Sequence, residues 1–223
     1  GWVAALMLVA LATAAPATDM LQGLHLKGFH ALQMRKTTVL REVRAAMGRM
    51  AADGFSVVIE TITANVVLTG DKPPVTITSP IARYWIEGPE LPEPADGSEP
   101  AGQEVSAEQI AAWMQSTRDA AYATPTVEGA YKGDILFSSV GIQQQVKVDL
   151  GTGSVIEASH LLWSERHQRF VAFGGFRQTT DDGQGGRIVQ SGGAIIADRT
   201  FSEIFHRGTE GFPLSTVLES PPA

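Results

Sequence analysis

Between Phe55 and Arg207, apart from residues 87–125, the chain is a succession of short runs rich in β-branched and aromatic residues, most of them closed by glycine, proline or aspartate. This punctuation constrains the fold more than any single residue does. Glycine and proline this frequent are many for a helical protein and normal for a chain full of turns, so the runs read as strands of an all-β chain. Phe55–Gly70 follows the Asp53-Gly54 turn, and Val75–Trp85 follows Lys72-Pro73-Pro74. Gly133–Leu150 ends at Gly151-Thr152-Gly153. Ser154–Ser164, Gln168–Thr180, Arg187–Asp198 and Phe201–Arg207 complete the series, with turns at Glu165-Arg166-His167 and Asp181–Gly186.

Inside Gly133–Leu150, Ile142, Gln144, Val146, Val148 and Leu150 fall on one side of a strand and Gln143, Gln145, Lys147 and Asp149 on the other. A period of two is the mark of a half-buried strand. Val39–Ala52 is ambiguous: Val39, Val43, Met47 and Met50 suit one helical face, and its composition favours a helix, yet tertiary context can impose a strand. Glu87–Val105 breaks the pattern with prolines 89, 92, 94 and 100 among acids and glycines, which reads as a semi-extended linker. Ser106 with Gln109 then forms a capping box, and Ile110, Trp113, Met114 and Ala121 make an apolar helical stripe. Weak internal similarity links ITSPIARYW from Ile77, IEASHLLW from Ile156 and IVQSGGAIIAD from Ile188, the pattern expected of stacked strands or of chance between strands of like composition.

Residues Gly1–Ala17 carry no charge and read as either a secretory signal or a membrane-spanning anchor, about 25 Å long as a helix. Either sends the rest of the chain across a membrane. The 223 residues hold 24 acidic and 17 basic side chains, a formal charge of −7, which argues against a nucleic-acid partner needing a basic stripe. The absence of cysteine excludes disulfides, thiol nucleophiles and thiolate-bound metals. No Gly-x-Ser-x-Gly, phosphate-binding loop, His-Glu-x-x-His or calcium loop occurs. His25 and His30 fall on opposite strand faces, and His160 and His167 flank Trp163 as surface residues. No catalytic residue, metal ligand or cofactor is expected, and the chain does not read as an enzyme. Its remaining chemistry is burial of apolar groups and pairing through sheet edges.

GDILFSSVGIQQQVKVDLGTGSVIEASHLLWSERHQRFVAFGGFRQTT, followed by SGGAIIADRTFSEIFHRG, resembles the lipopolysaccharide-export LptC family and its LptA/OstA-type relatives. The shared rhythm is a glycine-led strand, a strand ending in leucine-tryptophan, a charged turn and a strand opening Arg-Phe. Upstream, Glu42, Ala45 and Ala46 resemble the family's Glu-x-x-Ala strand, which turns Val39–Ala52 towards strand. The resemblance implies a twisted, boat-shaped antiparallel β-jellyroll on an N-terminal transmembrane helix, here with one inserted helix. Its parts would be residues 1–17 as anchor, 18–86 and 126–208 as the jellyroll halves, 87–125 as an insertion atypical of the family, and 209–223 as a tail.

The same resemblance implies a single-pass inner-membrane protein whose main domain is periplasmic. It would take lipopolysaccharide acyl chains from an inner-membrane ABC transporter and pass them to an LptA-like periplasmic protein. Strand periodicity then nominates Phe55, Val57, Ile59, Val75, Ile77, Val146, Val148, Leu150, Trp163 and Phe176 as inward, lipid-facing residues, although every β-sandwich core has such residues. Leu26 and Phe29 mark the edge expected to meet the transporter, and Phe201, Ile204 and Phe205 the edge expected to meet the periplasmic partner. The alternative is a structural or assembly module that pairs through its sheet edges and carries no lipid.

Overall fold

The computed structural model describes residues 25–35, 38–66, 73–92, 102–119, 125–141 and 144–219, and for 25–35, 38–43 and 66 the backbone alone. The expected anchor, 1–17, lies outside these residues; among them no helix is long and apolar enough to cross a membrane. The strands are β1 (His25–Arg35), β2 (Thr38–Met50), β3 (Ser56–Val66), β4 (Val75–Trp85), β5 (Ile135–Ser138), β6 (Val146–Asp149), β7 (Ser154–Ser164), β8 (Arg169–Asp181), β9 (Arg187–Ala197), β10 (Ile204–Arg207) and β11 (Ser215–Glu219). One helix, α1 (Ala107–Asp119), sits between β4 and β5. The described residues thus form an all-β antiparallel fold with one inserted helix. The ambiguous Val39–Ala52 segment is strand: β2 pairs β1 on one side and β3 on the other, and those two ladders outweigh its helix propensity.

All strands belong to one sheet in the order β1-β2-β3-β4-β5-β7-β8-β9-β10. The remaining two complete interrupted positions. β5 and β6 both lie between β4 and β7, as two pieces of one line broken by the Ser139–Gln145 excursion. The expected single strand over Gly133–Leu150 is therefore two, and Val146–Asp149 keeps the alternation, with Val146 and Val148 in and Lys147 and Asp149 out. Gln144, expected on the inward side, is exposed, and Ile142 and Gln143 lie outside the described residues. In the same way β10 and β11 both pair β9, on either side of Gly208–Leu214. The stretch read as a tail, 209–223, thereby contributes a strand.

These breaks line up across the sheet. The ladders skip Ala46–Thr61 between β2 and β3, where Thr61 has φ +53°. Pro80 follows in β4 at the gap between β5 and β6, where no ladder partner asks for its missing N–H. The register shifts at Ala158/His160 in β7 and at Phe173/Phe176 in β8, and Gly193 falls between paired residues of β9. Gly174 and Gly175 have φ +79° and +97°, a left-handed pair that only glycine adopts cheaply. Irregularities at one level of consecutive strands crease a sheet instead of scattering kinks. The three similar sequence segments each cross this crease, at Ser79-Pro80, Ala158-Ser159 and Gly192-Gly193. A side-chain hydrogen bond shows how sharply the sheet folds: His206 Nε2 in β10 meets Gln178 Oε1 in β8 at 2.7 Å, beyond the intervening β9 and across the crease.

Folding the sheet buries one continuous inner cluster drawn from both sides of the crease. The outer face above the crease is buried too. Leu136, Leu162, Val171, Phe173, Ala194 and Ile196 point outward and are covered by Ile110 and Trp113 of α1, with Val105 and Val127 from the flanking segments. Strands sandwiched on both faces lose alternation, which is why His160–Trp163, Phe170–Phe173 and Ala194–Ala197 read as nearly unbroken apolar runs. The Ser106 hydroxyl caps α1 by accepting from Gln109 N. Asp134 ties the covering segment to the sheet, accepting from Tyr131 N at 2.8 Å and Glu165 N at 2.6 Å.

Candidate functional site

The inner face is built of register rows. Above the crease, Val57, Tyr84, Ile135, Trp163, Phe170, Ala197 and Ile204 lie side by side from β3 to β10. Below the crease, Ala64, Ile77, Val148 and Ile156 continue the apolar surface, and the row then turns polar at Gln178, Gln190 and Thr216. Gln178 is buried and satisfied on both ends, donating to Ser154 Oγ at 3.0 Å and meeting His206 with its carbonyl. The Ser154 hydroxyl also meets Thr180 Oγ1 at 2.9 Å. The interior is therefore apolar from β3 to β10 above the crease, and below it apolar from β3 to β7 and closed by a hydrogen-bonded polar strip towards the C-terminal edge.

Nine of the ten nominated inward residues gather in this one cluster: Val57, Ile59, Val75, Ile77, Val146, Val148, Leu150, Trp163 and Phe176. Phe55 does not. It sits in the β2–β3 turn, 56% exposed, because its amide is drawn to Asp53 Oδ1 and its carbonyl accepts from Ile86 and Glu87. Asp53 also ion-pairs with Arg83, and this network fixes the turn outside the sheet. The gathered residues are closely packed. Trp163 is 0% exposed, with Arg199 over its ring and Phe170 at 4.9 Å.

The two ends of the sheet are edges. Among the described residues β1 pairs only β2, so Leu26 and Phe29 belong to an edge strand, although their side chains lie outside the description. At the other end, Phe205 points outward and is 58% exposed, whereas Ile204 points into the inner cluster. Phe201 is not an edge residue: it is 8% exposed, its ring stacks on Phe170 at 4.7 Å, and it occupies a turn with φ +55°. Asp198 organises that turn, accepting from the amides of Thr200 and Glu203 and from the hydroxyls of Thr200 and Ser202. Burial alone would push its carboxyl up, but these bonds hold it below the ordinary value.

The C-terminal edge is larger than the sequence indicated. Ile188, Phe212, Leu214, Val217 and Leu218 join Phe205 as exposed apolar side chains, with every residue of β11 exposed. The β-branched pair Thr216-Val217 after Pro213 was the available signal for this strand. Nor were the histidines all surface residues. Burial holds His160 down to about 4, with Nδ1 on Ser138 Oγ and its ring stacked on Phe173, and His167 is buried against Trp113. Among the described residues no three His, Asp or Glu side chains come close enough to hold a metal ion.

No protein-family model matches the chain, and no curated protein matches it.

Proposed function

We propose that this protein is a lipid-transfer bridge of the LptC type, a boat-shaped β-jellyroll that receives lipopolysaccharide acyl chains along its inner face. One observation carries the reading: a single creased sheet whose inner face is apolar from β3 to β7 and whose two ends are edges. In this reading residues 1–17 anchor the chain in the inner membrane, β1 meets the ATP-driven transporter, and the β10–β11 edge meets an LptA-like periplasmic protein. An acyl chain crossing an aqueous gap needs shielding worth about 0.8 kcal/mol for each methylene. A sheet folded on itself supplies that shielding on its inner face. An open edge supplies backbone hydrogen bonds to the next sheet.

Photo-crosslinking in cells tests it. A benzoylphenylalanine at Val57 or Leu150, both only partly buried at the margin of the cluster, should trap lipopolysaccharide. Labelling of protein partners at Phe205 and Leu218, with no lipid adduct at either inner position, would overturn it.

That second outcome is the one the alternative predicts, an assembly module joined edge to edge. The observation favouring it is that Ile77, Val146, Val148 and Trp163 are at most 1% exposed, so the interior is already filled by its own side chains. For lipid to enter, the inner side chains must part.

A further inference from the structure

A cavity of about 620 Å³ lies on the outer side of the fold, between α1 and the end of β10. This is within the usual size of small-ligand pockets, about 300–1,000 Å³. Its helical wall is the stripe Ala107, Ile110, Ala111, Met114, Gln115 and Arg118, spaced three and four residues apart and about 16 Å long. Its opposite wall is Arg207–Gly211. The base of the stripe is apolar, since Ile110 is buried and Met114 packs on the outer cluster.

The charges lie towards the ends of this apolar stretch. Arg207 Nη1 donates to Val105 O at 3.3 Å, which places its guanidinium beside the start of α1. Arg118 is in the last turn. Among the described residues neither forms an ion pair. In a chain of net charge −7, two arginines against the single carboxylate of Glu210 make this a locally cationic lining.

We propose that this cavity binds a single-chain anionic amphiphile, its alkyl chain along the Ile110–Met114 stripe and its oxyanion head on Arg207. Arg207 is the head site because it is half-buried and tethered, so its planar fork is held for a carboxylate or phosphate. The positive end of the helix dipole lies beside it. Arg118 is exposed and untethered. The site lies against the outer face of the sheet, does not depend on the lipid-slot reading, and takes its helical wall from the inserted segment.

Titration of the full chain with dansyl-undecanoate, followed by fluorescence, tests the proposal. Saturable binding is expected, with the methyl ester of the same probe binding at least about tenfold more weakly. Ala111→Trp fills the cavity from an exposed helix position, and Arg207→Gln removes the head contact; each should weaken binding at least about tenfold with an unchanged circular dichroism spectrum. Glu210→Gln should tighten it, a sign that general loss of structure cannot produce. Laurate and a monoacyl phosphate should both displace the probe, whichever head the natural ligand carries. Displacement by inorganic phosphate as readily as by laurate would show an anion site without a chain site and overturn the proposal. So would absence of saturable binding, or binding that survives Ala111→Trp and is lost in the folded inner-face variant Leu150→Arg.

Discussion

Asp134 and His160 show at the residue scale how burial sets opposing pH dependences in one molecule. Burial pushes the Asp134 carboxyl up to about 6, against the pull of the two amides it accepts from. Between its unfolded value near 4 and about 6, the folded state therefore binds more protons than the unfolded one, and this residue's contribution to stability falls as pH rises. His160 has the opposite sign. Burial holds it down to about 4, so between 6.5 and 4 the unfolded chain binds the extra proton and stability is lost as pH falls. Asp134→Asn should steepen the loss of stability on acidification from pH 6 to 4, because it removes the term that opposes His160. Above pH 6, where the carboxyl is ionised and accepts on both oxygens, the change should also cost about 1–3 kcal/mol through the lost acceptor, since one amide oxygen cannot accept from both Tyr131 N and Glu165 N as well as two carboxylate oxygens do. Urea unfolding at a series of pH values measures both. A parallel, unsteepened pH profile in the variant would contradict the assignment.

Single elements here are shaped by what lies across from them. The crease exists because ladder irregularities fall at the same level in neighbouring strands, at Thr61, Pro80 and Ala158/His160 and, in β8 and β9, at glycines. A Cβ on Gly175 would meet the Phe212 ring at 2.9 Å from a backbone at φ +97°, whereas a Cβ on Gly183, at φ +75°, meets open space. Gly183→Ala should therefore cost only the left-handed strain, about 1–2 kcal/mol. Gly175→Ala should cost more in urea unfolding, because its backbone lies further from the left-handed region other residues reach and its Cβ would press on the Phe212 ring. Helix α1 is the complementary case, an element whose stability is borrowed from the sheet it covers. Trp113 is 4% exposed and packs on Phe173 at 6.1 Å and edge-on to His167 at 5.6 Å. Trp113→Ala should cost about 3–5 kcal/mol and expose the outer apolar face, read as increased binding of an apolar dye to a chain that keeps its strand signal. An unchanged dye response would mean that α1 is not what shields that face.

For the molecule as a whole, the open edges matter more than the interior for association. The β10–β11 edge presents apolar side chains on a strand with no outer neighbour among the described residues, the arrangement that invites sheet extension. Leu218 is 69% exposed and opposite Ile188, so Leu218→Lys should leave stability within about 0.5 kcal/mol of the parent. The same change should abolish whatever association runs through this edge, seen as a shift to lower apparent mass in sedimentation or as loss of partner capture. Equal association in the lysine variant would move the interface elsewhere.

Much of the fold was legible in local pattern. Val75–Trp85 and Ser154–Ser164 match β4 and β7, and the Ser106 cap places α1, because turn chemistry and capping are decided within a few residues. Nine of the ten inward residues follow from strand periodicity once the strands are known. Where the pattern failed, the deciding partner was distant in sequence. Thr38–Met50 has helical composition and is a strand because β1 and β3 flank it. Phe55 and Phe201 look like strand residues, but Asp53 holds one out in a turn and Phe170 draws the other into the core. Gly133–Leu150 looks continuous, yet it breaks where the crease crosses it. The sequence by itself determined that the chain would form antiparallel strands around an apolar face with one capped helix, since those choices rest on short-range sterics and hydrophobic periodicity. Only the tertiary structure decided that the breaks align into one crease, that α1 covers the opposite face, and that an exposed strand forms the C-terminal edge. Each of these depends on which strands become neighbours, and that is set by packing between segments far apart in the chain.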